Sequence, residues 1–406
     1  MNQVLKKSFL PSFCTSNLKV IEIIMLICKY KKYPLLIETT SNQVNQYGGY
    51  SGFTPQEFKK KIYQLIAKTG FKKNSFLLGG DHLGPLPFKK YNSYQAMQKS
   101  ETLILAYLRS SYGKIHLDTA IKCKKQKKIT LKENFLRFRQ LVNLIPKKKI
   151  KEIHLVVGTE VPLAGGGSHE IRPTKLNKIK YDYLNYSAIL KNTFKGFKKN
   201  FSIVIEPGIT FKNNSILIPK MKKFKPIFNY SKKNNFYFEA HSTDYQPLSS
   251  LKKLVKNNFK FLKVGPELTY QYSRALFSME KLEKKYKFKN YSLIKENIYK
   301  EMKNNDKYWK EYYTGSKDKV KQLFFNSYLD RSRYYLQRKN ILKAISRLEK
   351  NLNLIKKDVI IKKFRIKKDD LQIAKKNKFN NLNLLAYIYL KKTVQKYYEA
   401  CGFKIK

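Results

Sequence analysis

The sequence predicts an α/β protein: a (β/α)8 TIM barrel followed by an α-helical C-terminal extension. Eight short apolar runs, rich in β-branched and aromatic residues, alternate with lysine-rich stretches of helical spacing, which is the pattern of repeated βαβ units. The alternating part covers about 280 residues, close to the usual size of such a barrel. Strand-like runs then stop, and the remaining chain has the pattern of helices. We therefore expect a barrel over residues 1–283 and a helical extension over residues 284–406.

The predicted strands follow one another in regular order along the first part of the chain. They lie at residues 8–14, 34–38, 75–80, 114–118, 152–160, 201–208, 236–242 and 259–265. Most segments between them have apolar residues at helical spacing, and residues 54–70 also begin with Thr-Pro, as a capped helix does. A doubly wound open sheet is the alternative. It would normally have fewer strands and a glycine-rich turn after the first strand, which "FCTSN" does not provide.

The chain is strongly basic, with 85 Lys and Arg against 28 Asp and Glu and a net charge of +57. Only ten of these basic residues are Arg, so 75 are Lys, and the lysines are spread along the whole chain. Specific nucleic-acid readout relies on the bidentate fork of Arg, whereas dispersed Lys is typical of codon bias toward A and T. We therefore expect no specific nucleic-acid partner.

Targeting signals are not visible in the sequence. The longest strongly apolar run, residues 20–28, is about half of the roughly 20 residues that a membrane span needs, and it contains Glu22. The N-terminal segment lacks the apolar core and cleavage pattern of a secretory signal. The four cysteines are far apart and form no C-x-x-C pair. These features predict a cytoplasmic protein with free thiols and no membrane partner.

Titratable side chains are concentrated at the predicted C-terminal ends of the strands, where barrel enzymes place their reacting groups. The side chains are Glu38, Asp81, His82, His116, Asp118, Glu160, Glu206 and His241. Their convergence on one rim predicts a metal site or an acid/base site. For His116, a buried imidazole hydrogen-bonded to a carboxylate is an equally good interpretation. Adjacent Asp81 and His82 favour function, because burying both without partners would cost several kcal/mol.

Two later segments are candidates for binding phosphate or substrate, since backbone amides after strands seven and eight of many barrels bind phosphate. The candidates are Ser242, Thr243, Asp244, Lys263 and Gly265. A loop at residues 158–168 contains three consecutive glycines, among them Gly166, but no P-loop lysine. This composition predicts a flexible rim loop that can close over substrate.

Seven motifs occur in order between about residue 38 and residue 335. They are "IETTSNQVNQYGGYSGFTP", "LLGGDHLGP", "KIHLDTA", "VVGTEVPLAGGGS", "FEAHSTDYQ", "LKVGPELTYQYSRALF" and "YLDRSRYY". In these motifs the chain resembles the accessory, non-catalytic subunits of class II D-tagatose-1,6-bisphosphate aldolase, the GatZ/KbaZ family. The resemblance implies a (β/α)8 barrel with a helical C-terminal part, in agreement with the strand pattern.

The resemblance also implies a partner and a role in carbohydrate catabolism, such as that of galactitol or N-acetylgalactosamine. The partner is a separate catalytic aldolase subunit. It is a zinc enzyme that cleaves tagatose 1,6-bisphosphate into two triose phosphates and needs the accessory subunit for full activity and stability.

The accessory family is itself similar to the catalytic class II aldolases, and this similarity suggests roles for individual residues. "GGDH" implies that Asp81 transfers a proton and that His82 binds a divalent metal such as Zn or Mn, and "FEAHS" implies His241 as a second ligand. The remaining histidine ligand is not visible, and Glu206 is the candidate in its place. Glu160 and Asp118 are further candidates for catalysis.

A second hypothesis from the same resemblance is an independent enzyme. Some relatives are described as C4-epimerases of ketohexose 6-phosphates, which interconvert fructose 6-phosphate and tagatose 6-phosphate. Asp81, His82, Glu160 and His241 are compatible with that reaction, in which a metal polarises the carbonyl while a carboxylate moves the proton. The sequence leaves open whether the chain acts through an interface or alone.

Overall fold

The computed structural model describes residues 3–7, 9–159, 173–197, 201–218 and 224–404, and its centre is a closed barrel of eight parallel strands. The barrel strands are β1 (Leu10–Cys14), β2 (Leu35–Thr40), β3 (Phe76–Leu83), β4 (Lys114–Leu117), β5 (His154–Val157), β6 (Phe201–Val204), β9 (Tyr237–Ala240) and β10 (Phe259–Val264). Neighbours pair in chain order, and β10 closes the barrel on β1. A small antiparallel pair, β7 (Thr210–Phe211) and β8 (Ile216–Leu217), follows β6 and is not part of the barrel. The predicted barrel is confirmed.

Helices follow the strands and continue beyond the barrel. They are α1 (Leu18–Lys31), α2 (Pro55–Thr69), α3 (Ser93–Arg109), α4 (Leu131–Val142), α5 (Leu176–Thr193), α6 (Lys225–Lys233), α7 (Leu248–Lys256), α8 (Pro266–Glu283), α9 (Ile294–Asn304), α10 (Lys317–Asn326), α11 (Lys339–Asn353), α12 (Lys357–Phe364), α13 (Lys368–Lys376) and α14 (Asn381–Ala400). The Thr-Pro start of α2 is a capping box: Thr54 Oγ1 accepts the Glu57 amide while the Glu57 carboxylate accepts the Thr54 amide.

The interior of the barrel changes from apolar to charged along its strands. Its N-terminal end holds a small apolar cluster, separate from the main core, of Val4, Leu5, Leu10, Leu36, Leu77 and Phe261. Residues two apart in a strand share a face, so Leu36 is followed inward by Glu38, and Phe261 by Lys263. The strands therefore point charged side chains into the C-terminal half of the barrel.

Two glycines in β3 make room for neighbouring side chains. A Cβ atom at Gly79 would lie 2.7 Å from Glu38 Cγ, and one at Gly80 would lie 2.5 Å from a ring carbon of Tyr107. Both distances are shorter than real contacts allow. The "GG" of "LLGGDH" thus serves the packing of Glu38 inside the barrel and Tyr107 outside it.

The C-terminal extension packs onto the barrel through α14. Its Tyr398 ring stacks on Tyr33 with 4.1 Å between centroids, and the Tyr398 hydroxyl donates to Pro34 O at 2.5 Å. One continuous hydrophobic cluster includes residues of both parts of the chain. The end of α8 at Glu283 coincides with the boundary expected from the sequence, although a division into two domains stays a prediction because the core is shared.

Two further observations concern the helices and the cysteines. None of the helices in the described ranges is long and apolar enough to cross a membrane. All four cysteines are buried and unbridged.

We predict that docking of the extension contributes strongly to stability. Tyr398→Ala removes a buried ring and should lower the free energy of unfolding by about 3–5 kcal/mol, while Tyr398→Phe, which leaves Pro34 O without its donor, should cost about 1–3 kcal/mol. Denaturant unfolding measures both. The control Tyr94→Ala removes a tyrosine that is 73% exposed and should change stability by at most about 0.5 kcal/mol. A Tyr398→Ala protein as stable as this control would contradict the role of α14.

Candidate metal and substrate site

A buried lysine lies between two carboxylates inside the barrel. Lys114 Nζ, on β4, is 2.7 Å from Glu239 Oε2 on β9 and also pairs with Glu38 Oε1 on β2. All three side chains are fully buried. Burial lowers the pKa of Lys114, but the two carboxylates outweigh it and raise the pKa above its ordinary value. Burial raises the pKa of Glu38 more than Lys114 lowers it. This triad forms the floor of the candidate site.

Asp81 is the centre of the next layer, toward the C-terminal ends of the strands. Its Oδ2 pairs with Lys263 Nζ, and its Oδ1 lies 2.8 Å from His116 Nδ1 and 3.8 Å from His241 Nε2. Burial raises the pKa of Asp81, but His82, Lys263 and the His116 hydrogen bond together hold it well below its usual range. Asp81 is therefore an ionised carboxylate surrounded by three imidazoles and an ammonium group.

The imidazoles keep ring nitrogens that no described residue engages. His241 Nε2 lies 2.9 Å from Glu239 Oε1, whereas His241 Nδ1 and His116 Nε2 are buried and have no hydrogen-bond partner among the described residues. Burial and the nearby Lys263 hold the pKa of His241 well below its ordinary value, so its imidazole is neutral. The neutral imidazole of His241 is in the form in which histidine binds metals.

Four of these side chains could hold one metal ion. One ligand atom from each of Asp81, His116, Glu239 and His241 lies within 4.8 Å of the others, and all four residues are buried. The ligands of a tetrahedral Zn²⁺ lie about 3.3–3.6 Å apart, because metal–ligand bonds are about 2.0–2.2 Å long. Donor atoms as far apart as 4.8 Å would therefore have to move about 1 Å closer to surround one ion.

The charge balance of the cluster also favours a cation. The ionisable groups that touch one another here are Glu38, Asp81, Asp118, Glu239, Lys114 and Lys263, with His82, His116 and His241 among them. The four carboxyl groups exceed the two lysines by two. Uncompensated charge is costly in a buried site, and a divalent cation would balance it.

His82 is close to this cluster but engages another carboxylate. Its Nδ1 lies 2.8 Å from Asp118 Oδ2, and its Nε2 lies 3.4 Å from Asp81 Oδ2. Burial raises the pKa of Asp118, but the His82 hydrogen bond and charge lower it below the ordinary value. The backbone of His82 has φ 50°, a left-handed conformation in which a non-glycine residue is strained. Both residues of the predicted pair, Asp81 and His82, therefore lie at the site, and His82 is hydrogen-bonded to Asp118.

Glu206, the third ligand expected from the resemblance, is not among the four clustered residues. It lies beyond the end of β6 and its Oε1 accepts the backbone amides of Gly208 at 2.8 Å and Ile209 at 3.1 Å. Glu239, two residues before His241 on the same strand face, lies in the cluster instead. The alternation "FEAH" is a signal that could have identified Glu239.

The segment after β9 and β10 lines a small cavity of about 60 Å³ at the barrel mouth. Ser242, Asp244, Lys263 and Gly265 contribute to its wall, together with His82 and His241. Thr243 is not in this wall, because its hydroxyl donates to Lys263 O at 2.6 Å. Glu160 and Gly166 lie outside the described residues.

Asp244 accepts hydrogen bonds from backbone amides in the segment that the sequence predicts to bind phosphate. Its Oδ1 accepts the amides of Gly265 and Glu267, both at 2.8 Å, at the start of α8. Burial raises the pKa of Asp244 to about 7. A phosphate at the Gly265 amide would have to displace this carboxyl group.

The C-terminal extension also reaches the barrel mouth, a contact that the sequence does not predict. Arg333 and Tyr334, from the motif "YLDRSRYY", lie in the cavity wall, and the Tyr334 hydroxyl accepts from Arg333 Nη2 at 3.0 Å. The motif was recognised in the sequence, but its position over the barrel depends on how the extension folds back.

Nearly the whole chain is similar to one known protein family. The family model described as "D-tagatose-1,6-bisphosphate aldolase subunit GatZ/KbaZ-like" matches residues 2–402. The D-tagatose-1,6-bisphosphate aldolase subunit GatZ of Escherichia coli O1:K1 / APEC is 32% identical over 355 residues, 84% of this chain and 84% of that protein. The protein of the same name from Escherichia coli strain SMS-3-5 / SECEC matches to the same extent.

One solved structure is similar over nearly the whole chain. It is described as a probable tagatose 6 phosphate kinase from Sinorhizobium meliloti 1021, with a TM-score of 0.83 and 27% identity, covering 97% of this chain and 100% of that one. None of the proteins named here is described as an epimerase, so these relatives support the subunit hypothesis and not the epimerase alternative.

We predict that removing the lysine of the buried triad, and so leaving its carboxyl groups without a cation, is strongly destabilising. Lys114→Met leaves Glu38 and Glu239 facing each other without a cation and should lower the free energy of unfolding by about 3–5 kcal/mol. The double variant Lys114→Met/Glu38→Gln removes one charge of each sign and should recover part of that loss. Denaturant unfolding measures both.

The matched control is Lys300→Met, which breaks an exposed pair with Glu296 at 2.6 Å and should cost at most about 1 kcal/mol. If Lys114→Met were no more costly than Lys300→Met, the triad would not carry the stability assigned to it.

Proposed function

The chain belongs to the D-tagatose-1,6-bisphosphate aldolase subunit GatZ/KbaZ-like family, and from this premise we propose that it is an accessory subunit of a class II aldolase. In this role it binds a catalytic subunit and increases that subunit's activity and stability. The observation that carries the proposal is the 32% identity to proteins named GatZ subunit over 84% of both chains. Sugar bisphosphate cleavage belongs to the assembled enzyme.

The chemistry of the barrel mouth fits a metal-type aldolase better than a Schiff-base one. An amine that attacks a carbonyl must be neutral, whereas burial lowers the pKa of Lys263 less than Asp81 raises it. Lys263 therefore stays charged, paired with Asp81, and can hold a negative group of a substrate by charge. Lys114 is enclosed by its two carboxylates and has the same limitation.

We further propose that Asp81, His116, Glu239 and His241 hold a divalent metal. The excess of two carboxyl groups over the lysines and the closeness of the donor atoms, all within 4.8 Å of one another, support this assignment. A divalent metal bound there would polarise a substrate carbonyl. The protein's own part is to keep the donors in place: Lys114 fixes Glu239, Lys263 fixes Asp81, and Asp118 fixes His82 beside them.

The two possible ligand sets make opposite predictions for a pair of Glu→Gln variants. Glu239→Gln should weaken binding of Zn²⁺ or Mn²⁺ by at least about tenfold, since loss of a group beside a metal already costs about 10–100-fold. Glu206→Gln should leave the affinity unchanged. Calorimetric titration of the metal-free full chain measures both, and His116→Ala is a second variant should Glu239→Gln fold poorly.

The opposite pattern would support the ligand set that the resemblance implies. In that case Glu206→Gln and His82→Ala would weaken metal binding, and Glu239→Gln would not.

The accessory role predicts an effect on a partner. A catalytic class II tagatose-bisphosphate aldolase subunit co-expressed with this chain should gain several-fold in aldolase activity and in half-life at elevated temperature, and the two should co-purify. The chain alone should neither cleave the bisphosphate nor interconvert ketohexose 6-phosphates with Mn²⁺, Zn²⁺ or Mg²⁺.

Lysozyme or polylysine at equal charge serves as a control for nonspecific stabilisation by a basic protein. A partner that is equally active and stable with the control, or without any addition, would exclude the accessory role.

A further inference from the structure

A second cavity lies beside the barrel mouth, between the barrel and the extension. Its volume is about 490 Å³, within the range of roughly 300–1,000 Å³ that is usual for small-molecule sites. It shares the side chains of Asn42, Tyr50 and Tyr334 with the mouth cavity but contains none of the four clustered metal-site residues. We call it the outer cavity.

The outer cavity has a strongly basic wall. The basic residues in it are Lys89, Lys90, Lys307 and Arg331. The three lysines are exposed, whereas Arg331 is buried. Glu311 is the acidic residue in the same wall. With four cationic side chains and one carboxylate, the wall has a net positive charge, which attracts a negatively charged ligand.

Arg331 is the unusual member of this wall. The residue is 3% exposed, and its Nη1 donates to the Tyr334 hydroxyl at 3.3 Å, but Nε and Nη2 are buried without a hydrogen-bond partner among the described residues. These two nitrogens form one edge of the planar guanidinium, the fork that binds phosphate or carboxylate through two parallel hydrogen bonds. Leaving such donors unpaired in a buried place is costly unless a ligand supplies the acceptors.

Two tyrosines lie against the guanidinium group of Arg331. The Arg331 guanidinium carbon lies 3.3 Å from the centre of the half-buried Tyr312 ring. The Tyr334 hydroxyl accepts from both Arg331 and Arg333, so it joins the outer cavity to the mouth cavity. Burial raises the pKa of Tyr334, but the two arginines outweigh burial and lower it. The motif "YLDRSRYY" thus places one arginine in the wall of each cavity.

We propose that the outer cavity is a binding site for a phosphoryl group, with Arg331 as its bidentate anchor and Lys89, Lys90 and Lys307 as surrounding charges. Tyr312 turns aside to expose the fork, a side-chain rearrangement of the kind that is common on binding. The phosphoryl group belongs either to inorganic phosphate or to a phosphorylated carbohydrate. The site is built within this chain and does not depend on the proposed function.

The test is a titration of the purified full chain with inorganic phosphate and, separately, with fructose 6-phosphate, followed by calorimetry at about 150 mM salt. Each phosphoryl ligand that occupies the site should bind saturably. Arg331→Gln should weaken that binding about 10–100-fold, the loss expected from a bidentate contact with a charged group. Tighter binding of fructose 6-phosphate identifies a phosphorylated carbohydrate as occupant, and equal binding identifies phosphate itself.

Two further variants separate the site from the general charge of the protein. Arg338→Gln removes the same charge from an exposed arginine outside the cavity wall and should leave the affinity within about twofold. Lys89→Gln/Lys307→Gln changes only exposed side chains of the wall and should weaken binding even if Arg331→Gln folds poorly. Absence of saturable binding, or equal weakening by Arg331→Gln and Arg338→Gln, would overturn the proposal. Since no partner is present in the titration, its outcome is independent of the aldolase experiment.

Discussion

A lysine inside the barrel, Lys114, determines how the other charged side chains are arranged. It lies on the face of β4 that also carries His116, and it joins Glu38 of β2 to Glu239 of β9 across the barrel. Lys114 gives the buried carboxyl group of Glu239 a cationic partner, and the same carboxyl group contacts His241 Nε2. A buried ion pair gives little net stability, but it fixes the position of each charge, because losing one partner strands the other. The network therefore acts as a rigid support for the site above it.

The second layer depends on this support. Asp81 takes its position from Lys263 and His116, and His82 takes its position from Asp118. Asp81 and His82 lie on β3, His116 and Asp118 on β4 or just after it, and Lys263 on β10. The closed barrel brings these three strands together. The left-handed backbone at His82 and Ser242, with φ 50° and φ 54°, lies at the strand ends where such strain is most often tolerated for function.

The sequence predicts the eight strands well, because buried parallel strands are continuous apolar runs bounded by glycine and polar residues. It also places Asp81, His82, His241 and Lys263 at one rim. It does not predict that Glu38, Lys114 and Glu239 meet, because that contact depends on which residues of three distant strands point inward at the same height. Nor does it predict that Asp244 takes the Gly265 amide, since a carboxylate within the chain competes there with any external phosphate.

The extension is coupled to the barrel mouth through α8. Glu267 Oε1, in the first turn of α8, accepts from Lys396 Nζ at 2.8 Å and from Thr393 at 3.1 Å on α14, while Glu267 Oε2 accepts the Tyr245 amide at 2.6 Å. A displacement of α14 would therefore reach the segment that follows His241. The extension also supplies Arg333 to the mouth cavity and Arg331 to the outer cavity, so both parts of the chain line the two cavities. Most of the chain's many lysines are solvated, whereas the buried Lys114 and Lys263 pair with carboxylates inside the barrel and so set the positions of those groups.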